Sequence, residues 1–124
     1  MVTINDVEAT LVAHGYAAGI VDGRLHVTVN DNTFLIAIDP ANELIRTALP
    51  IPTGYLNIPA AVLGKVITEV NRTLKGAKSV QMSSSIMVIS ECVGYDTNDF
   101  AKCFSNTATA ILGHKRSLIL GGID

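Results

Sequence analysis

The stretch Thr33-Phe34-Leu35-Ile36-Ala37-Ile38 is apolar at every position after its first residue. A strand with one face in water alternates apolar and polar residues, so an unbroken run predicts a strand that is covered on both faces. The run Ser85-Ile86-Met87-Val88-Ile89 has the same character. Because a chain of 124 residues has few elements to supply that cover, the two runs predict a second copy or a partner protein.

Upstream of the first run, the sequence predicts a helix and a hairpin. Asn5 with Glu8 has the spacing of a capping box and predicts the start of the helix. Asp22-Gly23 supplies the positive φ angles of a tight type I′ turn. The strand after this turn alternates between an apolar face and a polar face, and the polar face is formed by Arg24, His26 and Thr28.

Downstream, the pattern predicts a strand over residues 43–49, a stiff loop at Pro50 to Gly54 and a helix capped by Asn57. Two strands follow, over residues 78–83 and 85–93, with serines between them. Residues 96–98 offer a cap for the start of a last helix. The positive charges at 114–116 suit the negative end of the helix dipole, so the helix is expected to end there. Residues 117–120 could extend that helix or form a short strand. The predicted core is Leu25, Val27, Phe34, Ile36, Val62, Val66, Ile67, Phe100, Phe104 and Ile111.

Composition excludes several classes of function. Charged residues make up 16% of the chain and its net charge is −2. This balance lacks the excess of basic residues that binds nucleic acid or anionic lipid. No segment has the roughly 18–20 continuous apolar residues that insert into a membrane. The N-terminus lacks the features of a secretory signal, so a cytoplasmic location is expected. Cys92 and Cys103 are then predicted to be free thiols, with a disulfide between them as the alternative.

No motif in the chain predicts catalysis, a cofactor or a metal. The three histidines are scattered, and no Cys-x₂-Cys pair occurs. The serines at 83–85 lack the glycines of a nucleophile elbow and are interpreted as a hairpin turn. We therefore expect a non-enzymatic protein with no catalytic residues, no cofactor and no metal. The alternative is a small enzyme or ligand-binding domain whose site assembles in three dimensions, with the first residues to inspect being Arg24, His26, Cys92 and His114.

The order of predicted elements resembles the fold of the YbjN family and of type III secretion chaperones. The most specific stretch covers residues 66–80, where a helix ending in Asn71-Arg72 gives way to a strand. The hairpin over residues 81–93, the Asp22-Gly23 hairpin and the run at 33–38 fit the same pattern. The resemblance implies a chaperone-like or regulatory protein. A roadblock-like regulatory dimer is a further possibility, but that fold places two strands before its central helix and three after it.

These observations predict a single α+β domain over residues 1–124, with the order α-β-β-β-α-β-β-α. A mainly antiparallel sheet of about five strands is expected to pack against the helices. The predicted function is a chaperone-like or regulatory protein-binding domain, as a homodimer with a possible protein client. The second apolar faces of the two runs predict a protein-binding or dimer interface formed by Leu35, Ala37, Met87 and Ile89.

Overall fold

The computed structural model describes residues 2–56, 58–93 and 96–121, with only the backbone of Tyr55. The helices are α1 (Ile4–Ala13), α2 (Ala60–Thr73) and α3 (Thr97–Ile119). The strands are β1 (Ala17–Val21), β2 (Arg24–Val29), β3 (Asn32–Asp39), β4 (Leu44–Pro52), β5 (Lys78–Gln81) and β6 (Ser85–Val93). Short 3₁₀ turns at Pro40–Asn42 and Thr53–Tyr55 flank β4.

The six strands form one antiparallel sheet in the order β1-β2-β3-β4-β6-β5. The predicted α+β class and antiparallel sheet are confirmed, and the strand count rises from about five to six. The four strands before α2 and two after it differ from the roadblock order. Pro50 and Pro52, predicted to lie in a loop, belong to β4. The pairing of β4 with β3 ends at Ala48, so within the described residues the two prolines pair with β6 alone. A strand segment with one neighbour tolerates proline.

The three helices pack on one face of this sheet, where the core lies. Leu25, Phe34 and Val88 project from the strands into that core and are fully buried. Phe104 of α3 is its aromatic centre, with ring centroids 5.0 Å from Tyr16, 5.8 Å from Phe34 and 5.8 Å from Phe100. The sheet and the helices thus share one continuous hydrophobic core.

The first helix begins earlier than the sequence predicts. Thr3, not Asn5, is the N-cap: its hydroxyl oxygen accepts from the Asp6 backbone N–H at 3.2 Å, and the Asp6 carboxylate accepts from the Thr3 N–H at 3.1 Å. Both pairs have capping-box spacing, so the local pattern alone does not separate them. The earlier start brings Ile4 into the helix, where it packs against the core.

The second helix has a narrower buried stripe than predicted. Leu63, Ile67 and Val70 are buried, and Val66 is partly buried. Val62 was predicted to be in the core, which is wrong, since 40% of its surface is exposed. The helix packs through one side only, and Val62 lies off that side. The predicted cap Asn57 lies outside the described residues.

The third helix is capped by Asp96, as predicted, because its carboxylate accepts from the Asp99 N–H at 2.7 Å. The charged residues at 114–116 do not end it. The helix continues to Ile119, which resolves the ambiguous tail in favour of helix, and Leu118 in that tail is fully buried. His114 therefore lies inside the core and not at an exposed helix end.

Candidate protein-binding face

The face of the sheet that points away from the helices is called the open face here. Its centre is a row of apolar side chains that face one another across three strands: Leu35 of β3 pairs with Ala48 of β4, which pairs with Ile89 of β6. One step along the strands, Met87 pairs with Val80. The central apolar members of the open face are Leu35, Ala37, Ala48, Val80, Met87 and Ile89. Val21, Leu44, Pro50 and Val93 lie nearer its margins.

The four residues predicted as an interface all lie on the open face. Leu35, Met87 and Ile89 are partly buried by their neighbours in the sheet, and Ala37 is exposed. Phe34 and Ile36, which alternate with them, lie under the helices. The predicted cover therefore exists on one side of β3, and no helix of the described chain packs on the other side. The role of the four residues as an interface remains a prediction.

Two members of the open face were missed from the sequence. Ala48 is only 6% exposed, because Leu35 and Ile89 flank it in the sheet. Val80 extends the apolar surface beside Met87. The signal for Ala48 was present in the alternation of the β4 sequence, but assigning its outward face requires the strand order.

Charged side chains lie around the apolar row. Arg46 donates from Nε and Nη2 to one carboxylate oxygen of Glu91, at 2.9 and 2.7 Å. Both side chains are 44% exposed, so this ion pair contributes at most about 1 kcal/mol to stability. Arg24 on β2 and Lys78 on β5 lie on the same face, and neither forms an ion pair in the described part of the chain. Arg46 and Glu91 neutralise each other, and Asp39 at the end of β3 lies near Arg46. Arg24 and Lys78 are the cations of this face that form no ion pair among the described residues.

His26 brings a polar group into this apolar surface. It pairs with Gly19 on one side and with Leu35 on the other. Its Nδ1 is shielded from solvent and has no hydrogen-bond partner among the described residues. Buried polar atoms are normally hydrogen-bonded, so Nδ1 of His26 is an unusual unpartnered atom beneath this surface.

The residues of the alternative, enzymatic prediction do not come together. Arg24 and His26 lie on the open face, with Thr28 beside them. Cys92 and His114 lie on the helix-covered side, where Cys92 packs against the core and His114 is fully buried. The sheet separates the two pairs, so the predicted three-dimensional site is not formed.

Both cysteines are free thiols and partly buried, as predicted. Burial raises the pKa of the Cys92 thiol, a hydrogen bond with Thr107 lowers it, and the nearby Cys103 raises it further. A thiol whose pKa is raised carries less thiolate and is a weaker nucleophile. Cys92 therefore has the properties of a packed core residue.

His114 belongs to a polar network that joins three elements. Its Nδ1 lies 2.9 Å from the Ser79 hydroxyl of β5. Asn71 of α2 donates to the Ser79 carbonyl at 2.8 Å and accepts from the Ser79 N–H at 2.7 Å. Burial lowers the pKa of His114, with a smaller opposing effect from the backbone of Leu74. The network is enclosed by the fold and ties β5 to both neighbouring helices.

A cavity of about 700 Å³ lies at one end of the molecule, between α1 and the β3–β4 connection. Three carboxylates on its wall already have local partners. Asp6 and Asp96 cap helices, and Asp39 accepts from the Asn42 side chain at 2.8 Å, which lowers the pKa of Asp39. Within residues 2–56, 58–93 and 96–121, no three His, Cys, Asp or Glu side chains are grouped to hold a metal ion. No helix in the same residues is long and apolar enough to cross a membrane.

The likeness of this chain to known proteins is a likeness of fold. No family model matches the chain, and no curated protein matches it. Among solved structures, the chain is similar to the crystal structure of YbjN from E. coli, described as a proposed transcription regulator. The two share 16% sequence identity over 93% of each chain, with a TM-score of 0.67. At this identity the likeness concerns the backbone arrangement, and the chain has a YbjN-like fold.

Proposed function

We propose that this chain is a non-enzymatic, chaperone-like or regulatory protein-binding domain that forms a homodimer. The observation that carries the proposal is the open face, where Leu35, Ala48 and Ile89 form an apolar row across three strands and none of the described helices packs on it. Contiguous apolar surface of this kind is typical of protein-binding sites. The two free cysteines suit a reducing compartment such as the cytoplasm.

The charges around the open face favour an acidic partner segment there. The chain as a whole has a net charge of −2. Arg24 and Lys78, two cations that form no ion pair among the described residues, lie at opposite margins of this face, and Asp39 at the end of β3 lies near Arg46. A second copy that docked face to face would add its own Arg24 and Lys78 to the same interface. A partner with an apolar segment and acidic flanks would bury the apolar row and also pair with the two cations.

The similar fold of YbjN supports a regulatory role, since YbjN is described as a proposed regulator. The resemblance to type III secretion chaperones supports a protein client. Neither likeness identifies the partner, so the proposal rests on the open face. The separation of Arg24 and His26 from Cys92 and His114 supports a binding role over a catalytic one.

Synthetic peptides can test the proposed surface directly. One peptide carries alternating leucine and valine between two pairs of aspartates, and a second carries lysines in place of the aspartates. Fluorescence anisotropy is expected to show tighter binding of the acidic peptide. Replacing Leu35 and Ile89 together by serine is expected to weaken that binding at least tenfold.

Val12→Ser is the matched control, because Val12 is 52% exposed and lies on α1, on the other side of the sheet. Equal binding by wild type and the Leu35→Ser/Ile89→Ser variant, with both folded, would contradict the proposed surface. A saturable thermal shift with a metal, nucleotide or metabolite would instead favour a ligand-binding or catalytic role.

A further inference from the structure

The two edges of the sheet differ in how they are protected. An unprotected edge strand exposes backbone donors and acceptors that can pair with another strand. At the β5 edge, the side-chain amide of Asn71 bonds both backbone groups of Ser79. Its oxygen accepts from the Ser79 N–H at 2.7 Å, and its nitrogen donates to the Ser79 C=O at 2.8 Å. The strand has only four residues and carries Lys78. The β5 edge is therefore short, charged and capped.

The β1 edge has none of these protections. Its five residues, Ala-Ala-Gly-Ile-Val, include no charged residue and no proline. Its one neighbour in the sheet is β2. None of the described turn, loop or cap hydrogen bonds between backbone groups involves residues 17–21. Within the described part of the chain, one edge of the sheet is therefore protected and the other is open.

The turn after β1 determines which backbone groups face outward. Asp22 and Gly23 have φ angles of 52° and 76°, as in a two-residue type I′ hairpin, where the flanking pair Val21 and Arg24 is hydrogen-bonded. Hydrogen-bonded and non-hydrogen-bonded pairs alternate along an antiparallel ladder. The N–H and C=O groups of Ala18 and Ile20 consequently point away from β2, toward the open edge.

We propose that two copies of this chain join through β1, with the strands antiparallel and a two-fold axis at Gly19. This inference rests on the homodimer of the proposed function and specifies its contact. Ala18 would form hydrogen-bonded pairs with Ile20 of the partner subunit, and Ile20 with Ala18 of the partner subunit. A C₂ contact requires such a self-complementary surface.

The side chains of β1 favour a second copy over an unrelated strand. In this register each large residue meets a small one: Val21, which is 55% exposed, faces Ala17 of the partner subunit, and Ile20 faces Ala18. Gly19 faces its own copy in a non-hydrogen-bonded pair, where the two Cα atoms approach to about 4.5 Å. No like charges are opposed along the strand, because β1 has no charged side chain.

The pairing has a consequence for the open face. In an antiparallel edge pairing, paired residues of the two subunits point to the same side of the sheet. The two sheets would form one sheet of twelve strands, because each subunit contributes six. Both open faces would lie on the same side of it, and a single extended partner could contact both.

A cysteine crosslink tests the register. Gly19→Cys fits the monomer, because a Cβ at this position has nothing within 4 Å and its φ is not in the left-handed region. Cα atoms about 4.5 Å apart lie within disulfide range. Under mild oxidation this variant is expected to give a covalent dimer on a non-reducing gel. Val93→Cys, at the far end of β6, is expected to remain uncrosslinked.

Sedimentation at micromolar concentration gives the second measurement. Wild type is expected to be a dimer. Ala18→Pro removes only an outward N–H, and Gly19→Lys places two like charges opposite each other at the axis. Both variants are therefore expected to sediment as monomers with unchanged circular dichroism. Val93→Lys and Ile89→Ser are expected to remain dimeric. If Ala18→Pro does not fold, Gly19→Lys and the crosslink decide.

The outcomes separate this inference from the proposed function. Dimers that persist in Gly19→Lys, or that are lost in Ile89→Ser, would overturn the β1 contact and leave the homodimer in place. A wild-type monomer over the whole concentration range would overturn the homodimer itself. The peptide-binding measurement reports on the open face in either case.

Discussion

At the scale of single residues, His114 shows how burial changes the behaviour of a titratable group. Its sequence context, followed by Lys115 and Arg116, suggested an exposed helix end. In the fold it is fully buried, with Nδ1 on Ser79 and no hydrogen-bond partner for Nε2 among the described residues. An enclosed imidazole resists protonation because the cation loses its hydration.

This burial predicts a pH dependence of stability. The pKa of His114 is lowered in the folded protein, so on acidification below about pH 6.5 the unfolded chain takes up the proton first. The free energy of unfolding should fall from that pH until the lower folded pKa is passed, and His114 should contribute no further change below it. Urea denaturation at a series of pH values measures the effect.

His114→Gln is expected to flatten this part of the pH profile. His14→Gln is the control, because His14 is exposed and its ring bonds the exposed side chain of Asn98. The control variant should retain the wild-type slope between pH 6.5 and 5. An unchanged slope in His114→Gln would show that another group is responsible.

At the scale of elements, the least expected contact is between α2 and β5. The sequence showed Asn71 only as part of a helix end. In the structure its side-chain amide bonds the N–H and the C=O of Ser79, as a neighbouring strand would. Strands with an uncovered edge are prone to pair with other chains. A single side chain therefore both attaches α2 to the sheet and protects its edge.

Replacing Asn71 by alanine should be costly. Ser79 is 2% exposed, so its two backbone groups would lose their partners in a shielded position. We expect the free energy of unfolding to fall by about 1–3 kcal/mol. Asn106→Ala, at an exposed position on α3, should change it by less than about 0.5 kcal/mol. Urea unfolding of the two variants tests this, and equal stability would mean that Asn71 does not cap the edge.

At the scale of the whole molecule, one aromatic cluster connects sheet and helices. Phe104 contacts Phe34 on the sheet, Phe100 within its own helix and Tyr16 at the entry to β1. Among the described residues, no such layer packs on the open face. The molecule therefore has one tightly packed side and one side with an apolar row that no described helix covers.

Phe104→Ala is expected to destabilise the whole fold. Removing a fully buried phenylalanine costs about 3–5 kcal/mol, a large part of the 5–15 kcal/mol that is typical of a domain. Thermal unfolding should shift strongly downward in a single transition. Ile119→Ala, at a position that is 44% exposed, serves as the control and should shift it little. A small shift for Phe104→Ala would contradict its central role.

Local patterns accounted for much of the fold. The alternation of β2, the Asp22-Gly23 turn and the helical spacing of α3 each depend on neighbours within a few residues, and each was predicted. The errors arose where two local patterns were equivalent, as with Thr3 and Asn5, or where packing selects among apolar positions, as with Val62. Short-range periodicity cannot show which of several apolar positions meets another element.

The sequence by itself determined the α+β class, the antiparallel hairpins and the placement of Leu35, Ala37, Met87 and Ile89 on one side of their strands, because side-chain alternation is a local property. Only the tertiary structure decided that these positions meet Ala48 in one open face, that Asn71 caps β5 while β1 stays unprotected, and that His114 is enclosed. Strand order and helix docking bring together residues far apart in the chain, and no local pattern encodes those long-range contacts.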